Sequence, residues 1–376
     1  MLVAHHPVVA ACTKETPMSA MPELTEAFGT ELPHEKLLIV KGPRSGLTIS
    51  VAVHSTRLGQ ALGGCRLWSY DNWVEAVHDS LRLAEGMTYK NAAAGLARGG
   101  GKTVIHVPRG VQLDAERRRA VMLDLGDAIA SLDGAYMTAE DVGTSAEDMA
   151  VVAERTTDVC GLPSDKGGVG EPSEATAQGV YAGILATLDA VFGDRTVARR
   201  RFTVLGLGHV GALLATRLAG DGAVLTVTDV NPLKRELAAR LGAQWTEPDE
   251  ATRVPGDVFV PAGVGGILTR EVVDELQVRA VCGPANNQLA ERGIAELLRE
   301  RDIAWAPDFV VNAGGVIFLD TLTRPGASAE ATRERVEQIG DTVERIFADA
   351  RERDVTTLAA AEALAMERLD AVPVLA

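Results

Sequence analysis

Only four cysteines occur in the 376 residues, Cys12, Cys65, Cys160 and Cys282, far apart and with no C-x-x-C pair. That pattern excludes a disulfide framework and a thiolate zinc site, and fits a reducing, cytoplasmic setting. The seven histidines are scattered; only His5 and His6 adjoin, so no metal site is expected. Basic charge is in deficit, with 37 Lys plus Arg against 52 Asp plus Glu and a net charge of −15. This argues against a broad nucleic-acid surface. No apolar run reaches the ~18 residues of a membrane-spanning helix, and there is neither an internal repeat nor a low-complexity block. The opening MLVAHHPVVAACTKETPMSA lacks a basic n-region and is interrupted by His5, His6 and Lys14, so it does not read as a secretory signal. Residues 1–21 are expected to form a disordered tail, or to precede the true start at Met18 or Met21.

What is present is an ordinary globular balance, 46% hydrophobic and 24% charged, in a length that suggests about two domains. Leu37 to Ser55 reads as a hairpin around Gly-Pro-Arg-Ser-Gly. Asn72 to Gly86 carries helical periodicity (Val74, Val77, Leu81, Ala84), with Met87-Thr88-Tyr89-Lys90 following at its end. Gly99-Gly100-Gly101-Lys102 leads into the strand Thr103–Val107; a helix over Ala115–Leu132 and a strand over Ala135–Thr138 follow. The Gly/Pro-rich Cys160–Pro172 stretch marks a joint. Beyond it, a helix over Glu174–Val191 precedes alternating strands and helices: Arg201–Leu205, a helix through Leu218, Ala223–Asp229, Leu233–Leu241, Val258–Val260 and Ala280–Cys282. Such alternation implies a parallel sheet with helices on both faces. The expected organisation is α/β. A substrate and oligomerisation domain spans residues 22–165, a Rossmann-type doubly wound domain spans 174–325, and a cleft separates them. Helices over about 330–376 pack back on the first domain.

Gly206-Leu207-Gly208-His209-Val210-Gly211 follows a strand and opens a helix, and Asp229 ends the next strand. That is the setting of a dinucleotide-binding loop: Gly206 for the turn, Gly208 for approach of a pyrophosphate, Gly211 for helix–strand packing. Asp229 can accept from both ribose hydroxyls and repels a 2′-phosphate, which favours NAD. Lys234 and Arg235 a few residues on keep NADP as the minor alternative. Gly95 to Thr103 superficially suggests a phosphate-binding P-loop. It has Leu96 where that motif needs glycine, and it precedes a strand instead of opening a helix.

Lys90 and Lys102 are two amines near glycines. If they converge, one can be driven toward neutrality and act as a base while the other holds a carboxylate. The glycines beside Lys102 are expected to let substrate atoms approach. Asp141, in Thr138-Ala139-Glu140-Asp141-Val142-Gly143-Thr144, leaves a strand end as a proton-transfer candidate or, more blandly, as a helix cap.

Together these segments resemble the Glu/Leu/Phe/Val dehydrogenase family, its leucine, valine and phenylalanine members in particular. The matching residues, in family order, are Ala61–Arg66, Leu81–Lys90, Gly99–Lys102, Thr138–Thr144, the glycine loop, Gly283–Leu289 and Ala306–Gly315. The resemblance implies reversible NAD-dependent oxidative deamination of an L-amino acid to a 2-oxo acid and ammonia. It implies Lys102 as catalytic base, Asp141 as proton shuttle and Lys90 as binder of the substrate carboxylate, with Thr176 and Asn287 orienting nicotinamide and substrate. The side-chain pocket implied is Leu62, Gly63, Met87, Ala139, Val316 and Leu319, apolar throughout, which disfavours glutamate and points to leucine or valine. A phenylalanine-preferring enzyme and a catalytically inactive NAD-binding regulator are the alternatives. A homo-oligomer is expected, with no nucleic-acid or membrane partner.

Overall fold

The computed structural model describes residues 32–322 and 326–372; the expected tail and Cys12 lie outside them. Everything below belongs to the compact unit His34–Ala376.

The first sheet contains β1 (Lys36–Lys41), β2 (Thr48–Ser55), β3 (Ala61–Trp68), β4 (Gly99–His106) and β5 (Tyr136–Glu140), in the order β1-β2-β4-β3-β5. β1 and β2 form the expected antiparallel hairpin, β4 runs antiparallel to β2, and β3 runs parallel to both β4 and β5. β4 is buried along its whole length, so its alternating side chains must satisfy two covered faces. On one face lies α1 (Trp73–Ala93), packed through Ala76 and Leu83 onto Val104. On the other, α2 (Ala115–Ala130) and α3 (Ala146–Val152) bury Met122, Leu125 and Met149 against Ile49, Ile105 and Tyr136.

Two local expectations are corrected here. α1 does not end near Gly86 but continues to Ala93, placing Lys90 in its last turn. An interior glycine costs a helix only about 1 kcal/mol. Burial of Ala84, Thr88, Asn91 and Ala92 outweighs it, and the Asn91 amide donates to the carbonyls of Leu62 at 3.2 Å and Gly99 at 2.6 Å. The glycines before Lys102, in turn, form the first half of β4. A Cβ on Gly100 would lie 2.1 Å from the backbone nitrogen of Thr88, so what approaches this glycine is α1 itself.

The second sheet is parallel throughout: β6 (Arg201–Leu205), β7 (Val224–Thr228), β8 (Gln244–Trp245), β9 (Val258–Pro261), β10 (Ala280–Val281) and β11 (Ala304–Trp305), in the order β11-β10-β9-β6-β7-β8. The order reverses at β6, so a crevice opens beyond the carboxyl ends of β6 and β9, where such sheets bind ligands. α4 (Ser173–Phe192) is long and apolar enough by composition to cross a bilayer. Its buried residues instead pack in the core with α5 (His209–Gly220) and the helices near the chain's end. α6 (Arg235–Arg240), α7 (Arg270–Glu275), α8 (Ile294–Glu300), α9 (Asp308–Val311) and α10 (Gly314–Leu322) follow. Of the last three helices, α11 (Ala329–Glu337) and α12 (Ile339–Arg353) pack on α4. Only α13 (Thr357–Asp370) returns to the first sheet's helix layer, burying Ala365 and Leu369 against Ala92 of α1.

Candidate active site

A cavity of about 540 Å³ lies between the two sheets. Alternation along β4 fixes what faces it. Gly100, Lys102 and Val104 share the α1 face, so close contact of β4 with α1 brings Lys102 toward Lys90. Both lysines line the cavity, with Asp141 just past the end of β5. The Lys102 ammonium meets Asp141 Oδ2 at 2.9 Å, and both side chains are largely buried. Asp141 does not cap the next helix; Ser145 does, in a capping box with Asp148.

The sequence reading assigned no role to Arg66, although it lies in a quoted motif. Its Nε donates to Asp141 Oδ2 at 3.2 Å and its Nη1 to Asp79 Oδ2 at 2.9 Å. Asp79 also accepts from the Tyr70 hydroxyl at 2.6 Å and from Arg82. Burial alone would raise the Asp141 pKa, but the Lys102 and Arg66 cations outweigh it and hold the carboxyl below its ordinary range. Neighbouring Glu140 is shifted the other way, raised by burial and by Glu171. The two environments thus push the neighbouring carboxyls' pKa values in opposite directions, Asp141 down and Glu140 up.

Lys90 differs from Lys102. Its Nζ has the Asn286 amide oxygen at 3.4 Å and, among the described residues, no carboxylate partner at bonding distance. Burial, helped by the nearby Lys102 charge, pulls its pKa down to about 8, against the opposing pull of Asp308 and Asp141. The depression of one amine expected from the sequence therefore falls on Lys90, the group assigned to hold a carboxylate. Asp308, at the start of α9, is buried; its carboxylate accepts the backbone N–H of Gln288 at 2.6 Å and of Phe309 at 2.7 Å. Burial raises its pKa despite those bonds and Lys90. Asn286, not Asn287, contacts Lys90 and accepts from the Asn312 amide at 2.8 Å. Asn287 is exposed at the cavity wall in a left-handed conformation, with φ of 53°.

The apolar residues named from the sequence converge as a group. Leu62, Gly63, Met87, Ala139, Val316 and Leu319 all line the cavity, and Leu62, Ala139 and Leu319 are buried in one cluster with Cys160. The Cys160 thiol is pushed up to about 12 by burial, so it serves as packing.

Thr176, Gly208, His209, Val210 and Gly211 line the same cavity. Gly206 has φ of +109° and Gly211 packs so closely that a Cβ would lie 2.1 Å from the Gly206 carbonyl oxygen. Nothing faces the Cβ position of Gly208, which is the N-cap of α5 and makes no side-chain cap. An open helix N-terminus of this kind suits a pyrophosphate. Leu207 departs from its expected place. Its side chain is fully buried in the core, and its N–H donates to Asp229 Oδ2 at 2.6 Å. Neither Gly206, Leu207 nor Asp229 lines the cavity; they shape the turn beside it. Asp229 lies one residue beyond β7 and also accepts the Asn231 N–H at 2.8 Å.

A reversed-order parallel sheet with an open glycine-loop helix, facing a cavity that holds two amines and a carboxylate, defines a dinucleotide-dependent oxidoreductase. The chain belongs to the Glu/Leu/Phe/Val dehydrogenase family. Residues 37–158 match the model described as Glu/Leu/Phe/Val dehydrogenase, dimerisation domain, and residues 234–372 match Glutamate/Leucine/Phenylalanine/Valine dehydrogenase. It is similar to a leucine dehydrogenase of Thermoactinomyces intermedius, 41% identical over 340 residues, covering 90% of this chain and 91% of that one. It is similar also to a valine dehydrogenase of Streptomyces albus, 41% identical over 341 residues, covering 89% and 92%. The crystal structure of an L-tryptophan dehydrogenase from Nostoc punctiforme superposes with a TM-score of 0.77 at 32% identity, covering 91% of this chain and 97% of that one. Membership makes the protein an enzyme acting on CH–NH2 with a nicotinamide cofactor.

Proposed function

We propose that the protein catalyses reversible NAD-dependent oxidative deamination of a branched-chain L-amino acid, leucine or valine. The observation that carries this reading is the convergence of Lys90, Lys102 and Asp141 with an apolar wall in the cavity that the glycine loop also lines. Amino acid, water and NAD⁺ give 2-oxo acid, ammonium, NADH and a proton. The bound nicotinamide supplies the acceptor for the hydride that leaves Cα.

The chain's own groups do the rest. Lys90, lacking a carboxylate partner, gains one when the substrate binds. Lys102 first passes its ammonium proton to Asp141, 2.9 Å away, and the neutral amine then takes a proton from the oxygen derived from water. Asp141 delivers that proton to the departing amino group; its depressed pKa keeps it ionised at rest and makes it the stronger acid once protonated. Arg66 fixes Asp141 from the other side. A substrate carboxylate placed against Leu62 and Leu319 would lose its hydration without a partner, a cost of several kcal/mol, so glutamate is rejected. NAD as the cofactor is supported by Asp229, which follows the strand after the glycine loop and whose charge repels a 2′-phosphate. Of the two basic residues beyond it, Lys234 and Arg235, the second is engaged by Glu247 and stacks 4.7 Å from the Trp245 ring centroid. Homo-oligomerisation through the first sheet's domain is supported by the description of the matching model.

NADH formation with a panel of amino acids tests the whole reading. Leucine or valine should exceed phenylalanine in kcat/KM by about tenfold, with glutamate inert. A higher value for phenylalanine than for both aliphatic substrates overturns the ranking, and no turnover of any substrate leaves the inactive NAD-binder. Asp229→Ala should raise KM for NAD by about tenfold or more, the loss of hydrogen bonds to a charged group; an unchanged KM refutes the ribose assignment.

Lys90 gives a pH signature. A group with pKa near 8 is cationic below that pH and neutral above it. The affinity for a 2-oxo acid, whose own charge is constant in this range, should be flat below pH 8. Above it, affinity should fall about tenfold per unit. Lys90→Met should weaken binding and flatten the profile. A profile of the same slope in that variant assigns the titration elsewhere.

A further inference from the structure

Behind the apolar wall lies a buried ion pair that the chemistry above does not use. Arg98, just ahead of β4, donates from Nε to Asp320 Oδ1 of α10 at 2.8 Å; the Asp320 side chain is wholly buried and that of Arg98 is 16% exposed. Arg98 Nη1 donates to Gln60 Oε1 at 2.8 Å, and Gln60 Nε2 donates to Asp158 Oδ1 at 2.7 Å. This relay ties α10 to the starts of β3 and β4 and to the segment that bridges β5 through Val159. Asp320 directly follows Leu319 and stands four residues after Val316, so the three lie on adjoining parts of one helix face. Leu319 and Val316 are α10's contribution to the side-chain pocket, and Leu62 and Ala139 on β3 and β5 stand opposite. Cys160 packs on that wall, within electrostatic reach of both charges.

Contacts among Leu62, Ala139, Val316 and Leu319 are non-directional and leave a helix free to slide by fractions of an ångström. A charged hydrogen bond buried on one side is directional, and moving it uncovers an unpaired charge. We propose that the Arg98–Asp320 pair is a specificity-determining tie. It fixes how far α10 stands from the first sheet, and so the depth of the pocket that admits a branched aliphatic side chain and excludes a ring. Both are positioning residues and touch no reacting atom. The inference rests on the proposed reading that an apolar side chain occupies this pocket.

The test is the ratio of kcat/KM for leucine to that for phenylalanine, measured beside KM for NAD and the thermal midpoint. Arg98→Met combined with Asp320→Leu removes both charges together, leaving neither stranded. That variant should keep KM for NAD within about twofold while the ratio falls about tenfold, the scale of a one-methylene change in pocket fit. The single Asp320→Asn variant keeps the shape and weakens the bond, and its ratio should fall about threefold. Ratios unchanged within the error of the measurement, in whichever of the two variants folds and binds NAD normally, overturn the tie. If the unsubstituted protein itself prefers phenylalanine, the branched-chain reading fails. The tie is judged separately, by the change in ratio on substitution.

Discussion

Lys102→Ala is expected to lower kcat by at least about 10³-fold while KM for NAD changes by less than about twofold. Two effects combine. General acid–base transfer contributes about 10²- to 10⁴-fold, and a fixed cation at a developing oxyanion contributes about 10²- to 10³-fold. The variant also strands chemistry on Asp141, because the 2.9 Å contact between the two groups is the route by which a proton leaves the substrate oxygen. Truncating one buried partner removes a cation that holds Asp141 down, so residual activity should show an acid limb moved to higher pH. Arg66, 3.2 Å from the same oxygen, limits that movement. The measurement is a steady-state pH profile on the purified variant. Retention of a tenth of wild-type kcat would remove Lys102 from the reaction.

The second large effect concerns Gly100, which touches nothing that reacts. In Gly100→Ala the new methyl meets the Thr88 backbone nitrogen at 2.1 Å, Thr88 Oγ1 at 2.2 Å and Thr88 Cα at 2.5 Å. Two of those atoms are main chain and cannot rotate away, so α1 must back off β4. Overpacking of this kind costs about 3 kcal/mol, or a fall of roughly 4 °C in the thermal midpoint of a chain this long. Because Lys90 rides on α1 and Lys102 on β4, the same displacement separates the two amines. The predicted signature is therefore a joint loss of stability and of 2-oxo acid affinity. Normal stability with normal kcat/KM would show that the contact yields without moving the helix.

Several features were legible before any coordinates. The dinucleotide loop is local, six residues whose turn and helix start are encoded where they stand, and Gly206 and Gly211 take the roles their spacing assigns. The hairpin of β1 and β2 and the alternating second half were legible for the same reason. The six apolar residues line one cavity, and their grouping is readable from the sequence because the family resemblance carries the long-range pairing. What failed was local punctuation under tertiary override. Gly86 looked like a helix end but is spanned by α1, because burial on β4 outweighs its propensity. Leu207 is read as a residue of the cofactor loop; its side chain lies in the core, which leaves its backbone as the part of it that the loop presents. The contact of Asn286 with Lys90, 196 residues away in the chain, has no local signal, while Asn287 lines the cavity as its motif implies.

By itself, the chain's order of residues determined the class of fold and the cofactor turn, since periodicity and turn chemistry are properties of short stretches, and its ordered motifs carried the family resemblance that nominates Lys90, Lys102 and Asp141. Tertiary structure alone decided that the Lys90 pKa is lowered, that the Asp141 and Glu140 carboxyls are pushed in opposite directions, and that Arg66 and the Arg98–Asp320 pair stand behind the site. Those outcomes depend on burial and on charges brought together from distant segments. Desolvation and Coulomb attraction follow distance in space, which sequence separation does not encode.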